Sequence, residues 1–187
     1  MSGTRALKRE EIKRLLMVAS SGRYGLRNKA IVLVCLSGLR GGEAAEINNS
    51  QILSSGKVTE TFKLLRKQTK TSNTRNVFLT AQAIAACEEY LAVKKHLHGD
   101  GAFFESQKGR FSNQTMVKLL NRLLLQAGIP NATSHCLRKS CASMIMSKTG
   151  NVGFVANILG HQSWEYTRRY TLGLEHNTSE FMAKVKW

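Results

Sequence analysis

The sequence predicts a mainly α-helical domain carrying a small three-stranded antiparallel sheet. Three observations lead there. Apolar residues recur at helical spacing along most of the 187 residues. That period gives way to strand-like runs only between about residues 50 and 79. No repeat, low-complexity tract or proline-rich linker interrupts the chain, whose one proline is Pro130. The expected organisation is a single domain over 1–187, with the sheet as an insert and a tail from about 175.

The elements follow in order. Leu7, Ile12, Leu15, Leu16 and Ala19 line one face of a first helix, and Gly22 and Gly25 break the chain after it. Asn28 to Ser37 reads as a buried helix stopped by Gly38, and Gly42 to Ile47 as a short one. Gln51–Leu53, Val58–Leu65 and Arg75–Leu79 read as a meander, with Ser-Ser-Gly and Thr-Ser-Asn turns. Thr80 caps a helix to about Lys95, and Ala102–Phe104 is a short extended piece. Ser112 caps a helix to Ala127, closed by Gly128 with Pro130 beyond. Ser134 opens another, closed by Gly150; Val152–Leu159 and Trp164–Tyr170 complete the set.

Charge narrows the function. Lys plus Arg number 28 and Asp plus Glu 12, a formal net charge of +16. With 42% hydrophobic residues this is a folding sequence rather than a disordered polycation. A globular domain so basic calls for a polyanion, most often nucleic acid. Cys35, Cys87, Cys136 and Cys141 are scattered without a C-x-x-C pair, which suits a reducing compartment. Cys136 and Cys141 with His135 and His161 match no standard zinc spacing. The longest apolar run, Ala30 to Leu36, is too short to span a membrane, and no signal peptide is visible.

Four segments set charged residues beside apolar runs. LSGLRGGEAAEI holds Arg40 at a helix–turn junction, with Glu43 three residues on. KTSNTRNVFL holds Lys70 near a hairpin tip, with Arg75 five residues later. HCLRKS sets His135 and Arg138 at i and i+3, on one helical face. LGHQSWEYTRRYTLG carries His161 after a glycine and Tyr170 nine residues later. Singly, each has a plainer reading: a helix-end arginine, a solvated hairpin lysine, a helix-start histidine, a half-buried tyrosine.

In this order and at these separations the four segments resemble the tyrosine recombinase (phage integrase) family, over essentially the whole chain to Tyr170. The matching pieces are L-x-G-L-R-x-x-E around Arg40, the Lys70 hairpin leading into R-x-V-x-L, H-x-L-R, and L-G-H running through Thr167 to Tyr170. The resemblance implies site-specific cutting and rejoining of DNA through a 3′-phosphotyrosyl intermediate, without metal, nucleotide or other cofactor. Tyr170 would be the nucleophile, its spacing from the Gly-His pair favouring it over Tyr166. Arg40 and Arg138 would meet the growing phosphate charge as planar bidentate donors. Lys70 would protonate the leaving oxygen. His135 and His161 would hydrogen-bond the phosphate, either serving as base; Glu43 would orient its neighbours.

A DNA footprint is expected along Lys57, Lys63, Arg66, Lys67 and Arg75, which with Lys70 face one acid, Glu60. Lys108, Arg110, Lys118 and Arg122 form a second basic stretch, near Asn113 and Gln114, and Arg168 suits a phosphate contact. Lys139 and Phe78 depart from the residues usual in the family. The N-terminal core-binding domain of typical relatives is expected to be absent, the chain being either an excised catalytic domain or a naturally short recombinase. Partners would be double-stranded DNA and further copies in a tetramer, or a host recombinase of the Xer type, in a bacterial or phage-encoded, cytoplasmic, nucleoid-associated setting. The competing reading is a recombinase-like DNA-binding activator of such a host enzyme; a type IB topoisomerase would share the chemistry.

Overall fold

The computed structural model describes residues 5–68, 74–94 and 100–160. The chain divides into two compact units, Met1–Cys141 and Ala142–Trp187. In the first, α1 (Arg9–Ser20), α2 (Gly25–Leu36), α3 (Gly41–Ala45) and α4 (Asn49–Ile52) precede two short hairpins. α5 (Ala81–Val93), α6 (Asn113–Gln126) and the start of α7 (His135–Thr149) follow.

α2 is the centre. Its residues Ala30 to Cys35 are all buried, so it is apolar on every side, as a helix enclosed by others must be. Around it gather Leu15 and Ala19 of α1, Ala86 and Cys87 of α5, and Leu120 and Leu124 of α6, all in one core. Tyr90, Phe103 and Phe104 join that core as an aromatic cluster: the Tyr90 and Phe104 rings stack at 5.7 Å, and Phe103 meets Phe104 edge-on at 4.9 Å. The polar helix starts follow the sequence closely. Thr80 Oγ1 accepts the Ala83 N–H and Ser112 Oγ the Thr115 N–H, each at 3.2 Å. Gly128, at φ 68°, takes the left-handed step just past α6.

The small antiparallel sheets differ from the expected meander. Among the described residues the strands form three separate pairs, not one three-stranded sheet. Gln51 belongs to α4, because its Oε1 accepts the Asn48 N–H at 3.0 Å and closes a helical turn there. Strand β1 is therefore only Leu53–Ser54, turned back by Ser55 and Gly56, both at positive φ, onto β2 (Lys57–Val58). β3 (Thr61–Leu64) pairs with β4 (Arg75–Phe78) from Thr61↔Phe78 to Leu64↔Arg75. Its alternation buries Phe62 and Leu64. A third pair, β5 (Glu105–Ser106) with β6 (Gly109–Arg110), follows just after Ala102–Phe104, and no strand pattern in the sequence announces it.

The second unit is described by the end of α7 and by α8 (Val152–Leu159). Ala142 and Met146 pack with Val155 and Leu159 in a small core of their own. Gly150, at φ 61°, makes the turn, and Asn151 Oδ1 accepts the Phe154 N–H at 3.0 Å. The expected helix at Trp164–Tyr170 and the tail lie outside the described residues. No helix among the described residues is long and apolar enough to cross a membrane.

Candidate active site

The turn after α2 places the first arginine. The chain reverses through Gly38, whose φ of 98° suits a residue without a side chain, and Arg40 flanks the start of α3. An arginine has no oxygen with which to cap a helix. Glu43, three residues on, supplies one: its Oε2 accepts the Arg40 backbone N–H at 2.8 Å, and its Oε1 accepts Nη1 of the same arginine at 2.7 Å. Backbone and guanidinium of Arg40 are thus held by one carboxylate.

Glu43 is only 2% exposed, where an unpaired charge would be very costly. Arg75 from β4 donates through Nη2 to its Oε2 at 2.7 Å. Arg138 from α7 brings Nη1 to 3.9 Å of the same oxygen and hydrogen-bonds the Gly38 carbonyl. Burial pushes the Glu43 carboxyl up, but the charges of Arg75 and Arg138, the Arg40 N–H and the Arg40 guanidinium outweigh it. The carboxyl is held below its ordinary range. Three guanidiniums around one carboxylate leave a positive surplus, which favours an anion beside them.

A cleft of about 670 Å³ opens on this cluster, lined among others by Arg40, Lys67, Asn113, Asn121, Thr133 and His135. The start of α7 is fastened here: the Ser134 N–H donates to Asn121 Oδ1 of α6 at 2.9 Å. His135 is exposed in the cleft, while Arg138, one helical turn on, is buried behind it. Of the six expected catalytic residues the described structure thus brings three together, Arg40, His135 and Arg138, with Glu43. Lys70, His161 and Tyr170 lie outside the described residues, as do Arg168 and the rival Tyr166.

The expected DNA contacts fall differently. Lys57, Lys63, Lys67, Lys108 and Lys118 are exposed. Arg110 is exposed too, but it braces the fold: its Nη2 donates to Asn48 Oδ1 at 2.6 Å and its Nη1 to the Ala45 carbonyl at 3.3 Å. Arg66 lies in a single 3-10 turn, Arg66–Gln68, and its side chain is outside the described set. Arg75 has only 8% of its side chain exposed and is turned inward to Glu43, whose buried carboxylate it neutralises. Sequence reasoning missed Asn121 and Gln68, whose roles are contacts between elements that no local pattern signals. The R-x-x-E spacing, half of a capping box, was the available sign that Glu43 holds the Arg40 backbone.

The cysteines are buried thiols. Burial pushes Cys35 and Cys87 up to about 12, and Cys136 and Cys141 to about 11, so none is a ready nucleophile at neutral pH. Among the described residues no three His, Cys, Asp or Glu side chains converge as metal ligands.

A sequence profile described as the phage integrase family matches residues 5–176. The chain belongs to the phage integrase family. It is 30% identical over 173 residues to tyrosine recombinase XerD of Oceanobacillus iheyensis, a match covering 88% of this chain and 56% of the relative. The chain spans about half the length of the curated relatives it matches. Among solved structures, the XerA recombinase superposes with a TM-score of 0.78 at 26% identity, covering 100% of this chain and 66% of the other. The catalytic domain of bacteriophage HP1 integrase gives 0.63 at 26% identity, covering 90% of this chain and 87% of that domain. Within the phage integrase family, then, this chain carries the catalytic-domain fold: mainly helical, with small antiparallel sheets.

Proposed function

We propose that the chain cuts and rejoins double-stranded DNA at specific sites through a covalent link to Tyr170. The observation that carries this is the Arg40–Glu43–Arg138 cluster beside His135, opening on a cleft that Arg40, Lys67 and His135 line. Arg40 and Arg138, positioned by one carboxylate, would take the charge that grows on the non-bridging oxygens of a phosphodiester. The Tyr170 hydroxyl would attack phosphorus, forming the P–Oη bond as the P–O5′ bond breaks. Lys70 would give the leaving 5′-oxygen its proton, and His135 and His161 would bond the phosphate and take the tyrosine proton. The new ester conserves the energy of the old one, so rejoining is the same reaction reversed. The tetramer on paired sites, or the complex with a host Xer-type recombinase, belongs to this proposal as well, with the exposed lysines Lys57, Lys63, Lys67, Lys108 and Lys118 meeting the DNA backbone.

The test is recovery of a covalent adduct. The chain is mixed with nicked duplexes of random core sequence and denatured, and the attached DNA is sequenced. A 3′-linked adduct at a defined sequence, lost in Tyr170→Phe and kept in Tyr166→Phe, is expected. An adduct that persists in Tyr170→Phe overturns the assignment of the nucleophile. Recombination by a host Xer-type enzyme that depends on this chain, yet is indifferent to Tyr170→Phe, would establish an activator instead. Relaxation of supercoiled DNA at any sequence would favour a topoisomerase.

A further inference from the structure

Arg40, Arg75 and Arg138 all approach the Glu43 carboxylate, but they do not share it equally. Oε1 accepts from Arg40 Nη1 at 2.7 Å. Oε2 accepts from the Arg40 backbone N–H at 2.8 Å and from Arg75 Nη2 at 2.7 Å. Each carboxylate oxygen has about two acceptor sites, so these donors fill Oε2. Arg138 is kept outside that set: its Nη1 stands 3.9 Å from Oε2 and donates to the Gly38 carbonyl. Arg75 reaches the carboxylate from a fixed backbone, paired across β3–β4 with the buried Leu64. Burial pushes the Glu43 carboxyl up, and of the charges that outweigh it Arg75 comes first, ahead of Arg138. A carboxylate that had to hold both Arg40 and Arg138 would cancel much of the charge a phosphate needs. Arg75 restores the charge that Glu43 removes.

We infer that Arg75 is a positioning residue for the phosphate clamp: by filling Glu43 Oε2 it holds Arg138 off that carboxylate and on the Gly38 carbonyl. Without Arg75 the vacated site on Oε2 faces Arg138, and a shift of about 1 Å brings Nη1 into a charge-assisted hydrogen bond there. A guanidinium drawn onto a buried carboxylate is then spent on it, and less of its charge reaches an anion beside it. The inference rests on Arg138 taking the non-bridging charge in the reaction proposed above. Its specific consequence is that damage at Arg75 is felt through the charge of the scissile phosphate and not through DNA affinity.

The experiment compares two substrates at the core sequence recovered from the wild-type adduct, using the full chain. One has the natural scissile phosphate; in the other a methyl group replaces one non-bridging oxygen, so the phosphorus centre is neutral and asks little of the clamp. Adduct formation in a single turnover is measured, each variant against wild type on the same substrate. Arg138→Ala should be ~100-fold or more slower on the phosphate and recover most of that on the methylphosphonate. Arg75→Ala should lose ~10- to 100-fold on the phosphate, as a displaced clamp does, and come within several-fold of wild type on the methylphosphonate. Its affinity for DNA should equal that of wild type. Arg75→Gln keeps a donor of shorter reach and loses the charge; it should show the same recovery from a smaller loss, and it decides the matter if Arg75→Ala unfolds. If the folded variants match wild type on the phosphate, or are equally slow on both substrates while Arg138→Ala recovers, the inference is wrong. Weakened DNA binding as the whole defect would make Arg75 a DNA contact and overturn it too. If Arg138→Ala itself fails to recover, the role of Arg138 in the proposed reaction falls, and the inference with it.

Discussion

Glu43 shows how one residue organises this protein. A carboxylate at the N-terminal turn of a five-residue helix would ordinarily be a capping detail. Here it accepts from Arg40 and Arg75 and faces Arg138, so removing its charge leaves guanidiniums stranded in a dry place. Glu43→Gln should cost about 3–5 kcal/mol in urea unfolding, the range for breaking a buried ion pair on one side. The pH dependence has a definite sign. Because the folded carboxyl lies below its ordinary range, Glu43 stabilises fully above that range, and the contribution is lost as pH falls through the folded value. Glu11, held by a hydrogen bond from Arg5, drops from an ordinary 4.5 to about 2 and loses its contribution over that window. Melting temperatures followed from pH 7 to pH 3 should fall for the wild type, with a shallower acid decline in Glu43→Gln that reflects Glu11 alone among this pair.

At the scale of elements, close approaches and caps decide where helices stop. Gly25 opens α2 against the end of α1, and a Cβ there would stand 2.0 Å from the Ser20 carbonyl oxygen. Gly25→Ala therefore forces α1 and α2 apart and should cost about 1–3 kcal/mol, as overpacking does, read from the shift of the urea midpoint. The aromatic cluster behind α5 makes the complementary case. Phe104 is fully buried against Tyr90 and Phe103, and Phe104→Ala should cost about 3–5 kcal/mol by opening a cavity. The hairpin β3–β4 is short, and its packing face is just Phe62, Leu64 and Val77. What holds it at the site is polar: Gln68 on one side and Arg75 on the other, each bonded to α3. A small sheet with few apolar residues can thus be placed by hydrogen bonds that its strand pattern does not announce.

For the whole molecule, the charge of +16 predicts binding to DNA that is strongly salt-dependent. Each lysine that neutralises a phosphate should contribute about 0.9 to the slope of log affinity against log salt. Alanine at Lys57, Lys63 and Lys67 should flatten that slope stepwise in fluorescence anisotropy titrations, whereas neutralising Arg75 should act on stability, because its charge is spent on Glu43. That contrast marks the boundary between what the chain order reveals and what folding adds. The helices α1, α2, α5 and α6, their Thr80 and Ser112 caps and the Gly128 stop were legible in the sequence, since apolar period and cap chemistry act within a few residues. So was membership of the phage integrase family, carried by motifs spread from Arg40 to Tyr170. The three separate strand pairs, the inward turn of Arg75 and the clasp of Gln68 were not legible. Each follows from partners distant in sequence: Glu43 with Arg75 thirty-two positions away, Gln68 with Glu46 twenty-two away. Lysine and arginine spell the same charge along a chain, and only the fold, by burying one carboxylate, decided that Arg75 turns inward to Glu43 while Lys57, Lys63 and Lys67 stay exposed.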